Sequence, residues 1–474
     1  MPDRPVPRTS LCLFALALVV ALPLGAAAGG DPATSSSLWA PRPVPAGVVP
    51  EIRPLPTLRE QATEQQAWLA KRLTEVLPRL MRENGVDLWI LSMREYAEDP
   101  VFFSITSPTT FAARRRSIYV FHHPGPGKEV ERLALGGGDQ GGLFTAYRDP
   151  TPKVQNQELV GDAQWQLLRK LVEAADPKRI ALDIDPVHAF ADGLHSGERE
   201  AVEAALGPKY RKRVVRTPEL ALHYIATRVP EMMPRYRQIE ETVHALLTAA
   251  FSAAVITPGT TTTEDVDWWL RQRIQELGMT TWFQPHVEHA GSGPQGTDWA
   301  DGVIERGDAL WVDFGVIAMG LRTDTQHLGY VLREGETAPP PGLVACLATT
   351  NRLQDILLAE MRPGRSGNEV LAAARAAATQ AGIDGTIYSH PIGDHGHGAG
   401  PLIGLWDHQE GVPVRGDLKV RPATWFSIEL QATSALPEWG GRKLACRQEE
   451  EAYLDDQGER HWVYARQERF HLVR

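Results

Sequence analysis

Leu310-Trp311-Val312-Asp313-Phe314-Gly315, then Arg322-Thr323-Asp324-Thr325 running into Leu328-Gly329-Tyr330-Val331-Leu332, is the stretch on which the fold turns. Both apolar runs read as short β-strands, and an acid stands inside one and just ahead of the other. Asp313 and Asp324 are eleven residues apart, a spacing that suits two strands joined by a hairpin. A carboxylate in a buried strand is costly unless a cation or hydrogen-bond donors compensate it. Two of them at this spacing point to a shared positive partner, most simply a metal ion. Taken alone, the pair fits two surface or turn acids equally well.

Residues further along tip that balance. His397 lies in Gly396-His397-Gly398-Ala399-Gly400, a turn with little side-chain bulk around the imidazole. His390 and His395 flank the same turn, and His395 is the second choice for the ligand role. Asp394 and Asp407, in the same region, read as solvated loop acids. Glu429 ends Trp425-Phe426-Ser427-Ile428-Glu429, another strand-like run carrying an acid. Glu449, Glu450 and Glu451 follow Leu444-Ala445-Cys446 and precede Ala452-Tyr453-Leu454. By strand alternation Leu444, Cys446, Gln448, Glu450, Ala452 and Leu454 share a face, and Glu449 shares the wetter one. Glu450 is therefore the expected inward ligand, with Glu449 as the alternative.

The order Asp, Asp, His, Glu, Glu resembles the ligand set of the M24 metallopeptidases, the creatinase-fold or pita-bread enzymes that include aminopeptidase P and prolidase. The resemblance rests on the Asp–Asp spacing, the Gly-His-Gly-x-Gly turn and the Phe-Ser-Ile-Glu strand, and it is confined to the C-terminal portion of the chain. It implies an α/β (α+β) chain with a C-terminal pita-bread domain and a smaller N-terminal α/β domain. It also implies two divalent metal ions: Asp324 and Glu450 bridge them, Asp313 holds one, and His397 and Glu429 hold the other. Glu429 would also relay a proton. Four clustered carboxylates repel one another and take up protons unless neutralised. Oxygen-rich ligation with one imidazole suits Mn foremost, then Co, Zn or Fe. Such a pair, roughly 3.5–4 Å apart, activates a bridging hydroxide.

Composition fits a secreted enzyme. Arg4 and Arg8, the apolar run 11–24 and Gly25-Ala26-Ala27-Ala28 make a signal-peptide pattern over residues 1–28. The expectation is secretion or periplasmic export with no stable membrane insertion after cleavage. The net charge of −10 becomes −11 once Asp3, Arg4 and Arg8, together +1, are removed. No basic stripe or nucleic-acid module is visible, which argues against nucleic-acid binding. Cys346 and Cys446 remain, too few for a disulfide scaffold but enough for one bond.

About 445 mature residues suggest two domains. Residues 29–57, rich in Pro, Ala and Ser, read as a linker. The expected N-terminal domain covers 58–225, with a helix at 58–84 and strands at 87–91, 117–121 and 179–183. The C-terminal domain covers 226–474, with helices near 232–256, 264–277, 343–361 and 368–382.

The chain also departs from the family. Proline-specific members carry a substrate His in a loop that here reads Ser292-Gly293-Pro294-Gln295-Gly296-Thr297-Asp298-Trp299-Ala300, without one. His286 and His289, just upstream, are the candidate substitutes. A second substrate His follows the family's ligand His by seven residues. Counted from His397 that position is Gly404, which leaves His408 as the candidate. The resemblance thus implies an aminopeptidase or dipeptidase acting on the N-terminal bond of short peptides, Xaa-Pro among them, and a homodimer. Two alternatives stay open: a metal-free creatinase-like C–N hydrolase, and a non-catalytic binding protein on the same fold.

Overall fold

The computed structural model describes residues 38–45, 47–136, 138–147 and 162–474. The signal-peptide pattern and the first part of the 29–57 linker lie outside the described residues. Residues Ser35–Arg474 form one compact unit.

The helix expected at 58–84 is three consecutive pieces, Leu58–Lys71, a π-helical turn Arg72–Val76, and Leu77–Glu83. Thr57 and Glu60 cap it reciprocally, each side chain taking the other's backbone N–H. Leu69, Leu73, Leu77 and Leu80 are all buried, as their spacing requires. The π turn places the Arg72 side chain inward, where it makes the ion pair described below.

Six strands follow: β1 (Leu88–Arg94), β2 (Arg116–His122), β3 (Glu131–Leu135), β4 (Thr145–Tyr147), β5 (Ile180–Leu182) and β6 (Val214–Val215). They form one sheet in the order β4-β3-β2-β1-β5-β6. The second sheet holds β7 (His286–Ala290), β8 (Ala309–Phe314), β11 (Thr325–Val331), β12 (Asp384–Pro391), β13 (Thr424–Leu436) and β14 (Arg442–Leu454). Its order is β12-β13-β14-β11-β8-β7, with β15 (Arg460–Trp462) added to β14 and β16 (His471–Val473) to β11. A short pair, β9 (Ile317–Ala318) and β10 (Leu321–Arg322), fills the turn between Asp313 and Asp324. The sheets fall on either side of the expected 225/226 boundary. That boundary sits at the end of the helix Pro218–Ala226, and one apolar cluster runs across it from Leu73 and Tyr224 to Tyr236 and Val312.

The four helices expected in the C-terminal part are Met233–Ala250, Thr263–Glu276, Pro341–Glu360 and Gly367–Gln380. Thr262 is the N-cap of the second, in a capping box with Asp265. The last two cover one face of the second sheet, packing Leu353, Leu357, Val370 and Leu371 against Ile428, Leu430, Ala452 and Leu454. A disulfide joins Cys346 on Pro341–Glu360 to Cys446 on β14. Among the described residues no helix is long and apolar enough to cross a membrane.

Asp394 corrects an expectation. An acid in a Gly-rich turn reads as a solvated loop residue, but its carboxylate is held by Arg72 Nη1 and Ser104 Oγ, each at 2.7 Å, and by Arg228. The three partners come from distant segments, so the turn after β12 is tied to both halves of the chain. Gly393 permits this: its φ is 135°, and a Cβ there would strike the Arg228 guanidinium at 2.3 Å.

Candidate metal centre

The register of the second sheet does most of the assembly. His286 on β7 lies opposite Asp313 on β8, and Asp313 opposite Gln326 on β11. Gln326 lies opposite Glu449 on β14, Glu449 opposite Glu429 on β13, and Glu429 opposite Tyr388 on β12. Directly paired residues share a face, so one transverse row across six strands gathers three acids between a histidine and a tyrosine. Asp324, just before β11, and His390, two residues beyond Tyr388 and therefore on the same face, complete the set.

Donor atoms of Asp313, Asp324 and Glu449 lie within 4.8 Å of one another, as do those of His390, Glu429 and Glu449. Asp324, His390 and His397 form a third such group. Glu449 thus stands in the middle, common to both acid-rich groups. Gln326 donates to Glu429 Oε1 at 2.7 Å and to Glu449 Oε2 at 2.8 Å, while Trp311 Nε1 donates to its carbonyl at 3.0 Å. Trp311 thereby orients the amide so that its NH2 faces the carboxylates. Ser427 donates to the other oxygen of Glu449. Glu451, on the same face, accepts the backbone N–H of Asp324 and fixes that residue's approach.

Burial, and next to it the Glu449 carboxylate, pushes the carboxyl groups of Asp313, Asp324 and Glu429 well above their usual range. So many buried acids facing one another need positive charge. The local donors do not meet that need: Asp313 Oδ1 and His390 Nε2 are buried without a hydrogen-bond partner. His390 Nδ1 lies 3.0 Å from the Pro391 carbonyl, which can only accept, so the proton sits on Nδ1. Its other nitrogen, Nε2, faces Asp324 Oδ2 and Glu449 Oε1, 3.5 and 3.6 Å away. A carbonyl behind the ring is the usual support of a metal-binding imidazole. By donor chemistry these residues fit divalent metal ions.

Three expected site residues sit elsewhere. Glu450 points to the opposite face of β14, where His244 Nε2 and His327 Nε2 contact its two oxygens at 3.1 and 2.9 Å. Burial would raise its carboxyl, but the two histidines outweigh that and hold it at about 2. The site is brought together by Glu449 instead, because the more apolar face of β14 packs against helices and the wetter face holds the acids. His408 is a half-exposed residue paired with Asp407 and joins none of the metal groupings among the described residues. His289 is committed to Asp308 at 2.8 Å.

The structure keeps His397 at the cluster but exposed, and gives the buried position to His390. Their rings are 4.8 Å apart and nearly perpendicular. Counted from His390, the seven-residue step lands on His397. His395 packs on Phe190 and likewise joins none of those groupings. His286 stays at the end of the row, about half exposed. In the loop without a histidine, Trp299 donates to the Ala445 carbonyl at 2.7 Å. Gln326 and Tyr388 were missed; the signal for Gln326 was an amide inside the otherwise strand-like run 325–331.

Among curated protein sequences none matches the chain. Solved structures do. An X-Pro aminopeptidase from Thermotoga maritima superposes with a TM-score of 0.57 at 18% identity, covering 83% of this chain and all of the other. A dipeptidase from Mycobacterium ulcerans gives 0.54 at 17%, over 86% and 98% of the two chains. A Xaa-Pro dipeptidase from Bacillus anthracis gives 0.52 at 16%, over 87% and 99%. At these identities the likeness is one of fold. Residues 235–453 match metallopeptidase family M24. That span contains Asp313, Asp324, His390, Glu429 and Glu449; it is similar to the M24 metallopeptidases, and the chain shares the fold of the superposed peptidases.

Proposed function

We propose that this chain is a dinuclear-metal aminopeptidase or dipeptidase that hydrolyses the N-terminal bond of short peptides, Xaa-Pro bonds among them. The observation that carries it is the Asp313–Glu449–Glu429 row closed by Asp324 and by a histidine with an unpartnered Nε2. Asp313, Asp324 and Glu449 would hold one ion and His390, Glu429 and Glu449 the other. When bound, such a pair supplies Lewis acidity and lowers the pKa of water enough for attack at neutral pH.

The chain's own residues do the rest. Glu429, at the tyrosine end of the row, takes the proton from the attacking water and returns it to the leaving amine. Gln326 holds the Glu429 and Glu449 carboxylates in fixed orientation through both its N–H groups. His286, half exposed, and His397, exposed, flank the acids and would donate to the peptide's carbonyl groups. Secretion is part of the same reading. It is supported by the signal-peptide pattern and by the Cys346–Cys446 bond, which suits an oxidising compartment.

The test is metal content by elemental mass spectrometry of the mature protein, isolated without chelator or metal-affinity tag, followed by a dipeptide and tripeptide screen. Transition metal lost in Glu449→Gln, with turnover lost alongside, supports the reading. Metal retained without turnover on any peptide moves the assignment to a binding protein. Failure to take up metal at the row sinks the hydrolytic mechanism.

A further inference from the structure

Behind the sheet, on the face opposite the acids, lies a second grouping of metal-ligating side chains. His244 projects from Met233–Ala250, His327 from β11 and Glu450 from β14, and all three are buried. Their donor atoms lie within 4.8 Å of one another. His327 Nδ1 lies 3.0 Å from His471 Nε2 on β16, so the ring has an outer partner as well as an inner one. Gln467 N donates to Glu450 Oε1 at 2.6 Å and orients the carboxylate. The rings of His244 and His327 stand 4.7 Å apart at 85°, and their Nε2 atoms meet the two oxygens of Glu450 at 3.1 and 2.9 Å.

We propose that His244, His327 and Glu450 form a separate mononuclear site for a zinc-type divalent cation. Two imidazoles and one carboxylate are an established zinc donor set, and such three-residue sites keep a position open. Here both imidazoles line a cavity of about 680 Å³, together with His471, Trp462, Tyr464 and Arg466, which supplies an entry path and room for a further ligand. His471 fills the place of an outer-sphere partner, fixing the tautomer of the imidazole in front of it. The bland alternative is a closed hydrogen-bonded triad that never meets a metal.

Crystals of the mature protein, stripped with chelator and reloaded with Zn(II), decide between them by anomalous scattering at the zinc edge. A peak bounded by His244, His327 and Glu450 is expected, whether or not peaks also appear at the Asp313–Glu429 row. No peak there at saturating Zn(II) overturns the proposal. In solution, Co(II) added to the Asp313→Asn/Asp324→Asn variant should give the visible absorption of low-coordinate Co(II), lost on adding His327→Gln. Absorption that persists in the His327→Gln form also overturns it. Should that variant not fold, the wild-type anomalous map alone is decisive. Because the two sites are observed at separate positions in the map, the absence of metal at one does not bear on the other.

Discussion

Replacing Asp394 with Asn tests whether the ionic knot behind the site is structural. The carboxylate is buried with Arg72, Arg228 and Ser104, and the two guanidinium side chains are only 6% and 2% exposed. Asparagine keeps the shape and one acceptor but leaves two buried cations without a counter-charge. Removing one partner of a buried ion pair costs about 3–5 kcal/mol; the Ser104 bond survives the change, so the lower half of that range is expected. Urea unfolding followed by tryptophan fluorescence would read it as a lower midpoint at unchanged slope. The guanidinium groups hold the Asp394 carboxyl well below its usual range despite its burial. A depressed carboxylate contributes stability above its unfolded pKa, near 3.9, and loses it as pH falls toward the folded value. The gap between wild type and Asp394→Asn should therefore be full at pH 7 and shrink below about pH 4. A loss under about 1 kcal/mol, the range of exposed pairs, or a gap indifferent to acid, would refute the reasoning.

Glu449→Gln should cut peptidase turnover at least 100-fold, on the order expected for a lost metal ligand or its support, with an unchanged far-UV spectrum; steady-state kinetics at saturating metal checks it. Metal-free protein should lose thermal stability as pH rises above about 4, since Asp313, Asp324 and Glu429 have raised folded pKa values. Their contribution is full below the unfolded pKa and disappears as pH climbs through the folded ones. Added Mn(II) or Zn(II) should abolish that slope in melting curves from pH 5 to 8, and a flat apo profile would count against the cluster. Cys446→Ser should destabilise by about 4–5 kcal/mol on the loop-entropy model, because the bond closes a separation of 100 residues. An unchanged unfolding midpoint after reduction would show that the packing of Pro341–Glu360 on β14 suffices.

Asp313, Asp324 and Glu429 were legible because a carboxylate inside an apolar run is an anomaly that demands a cause. The first helix was legible for the same local reason, its leucines at three- and four-residue spacing. The choice between Glu449 and Glu450 went wrong on a tertiary fact. Alternation gives two faces, but on β14 both are buried, one under helices and one around the acids. Equating the apolar face with the ligand face therefore selected the side that packs. From sequence His390 ranks behind the glycine-flanked His397 because small neighbours suggest access. The buried ligand position instead wants a rigid strand end and a carbonyl behind the ring. The pairing of Asp394 with Arg72, 322 positions away, left no local trace at all.

The transverse row has a temporal consequence. Its members are drawn one per strand, from His286 to Glu449, and the strand contributing the central acid is the last of the six in chain order. No nascent or truncated chain ending before residue 449 can hold the completed set, and no excised hairpin can carry it. Until β14 docks between β11 and β13, the acids on its neighbours lack their shared centre. Whatever the row does, it does only once the polypeptide extends past Glu449, so the strands before it pass through synthesis without its chemistry.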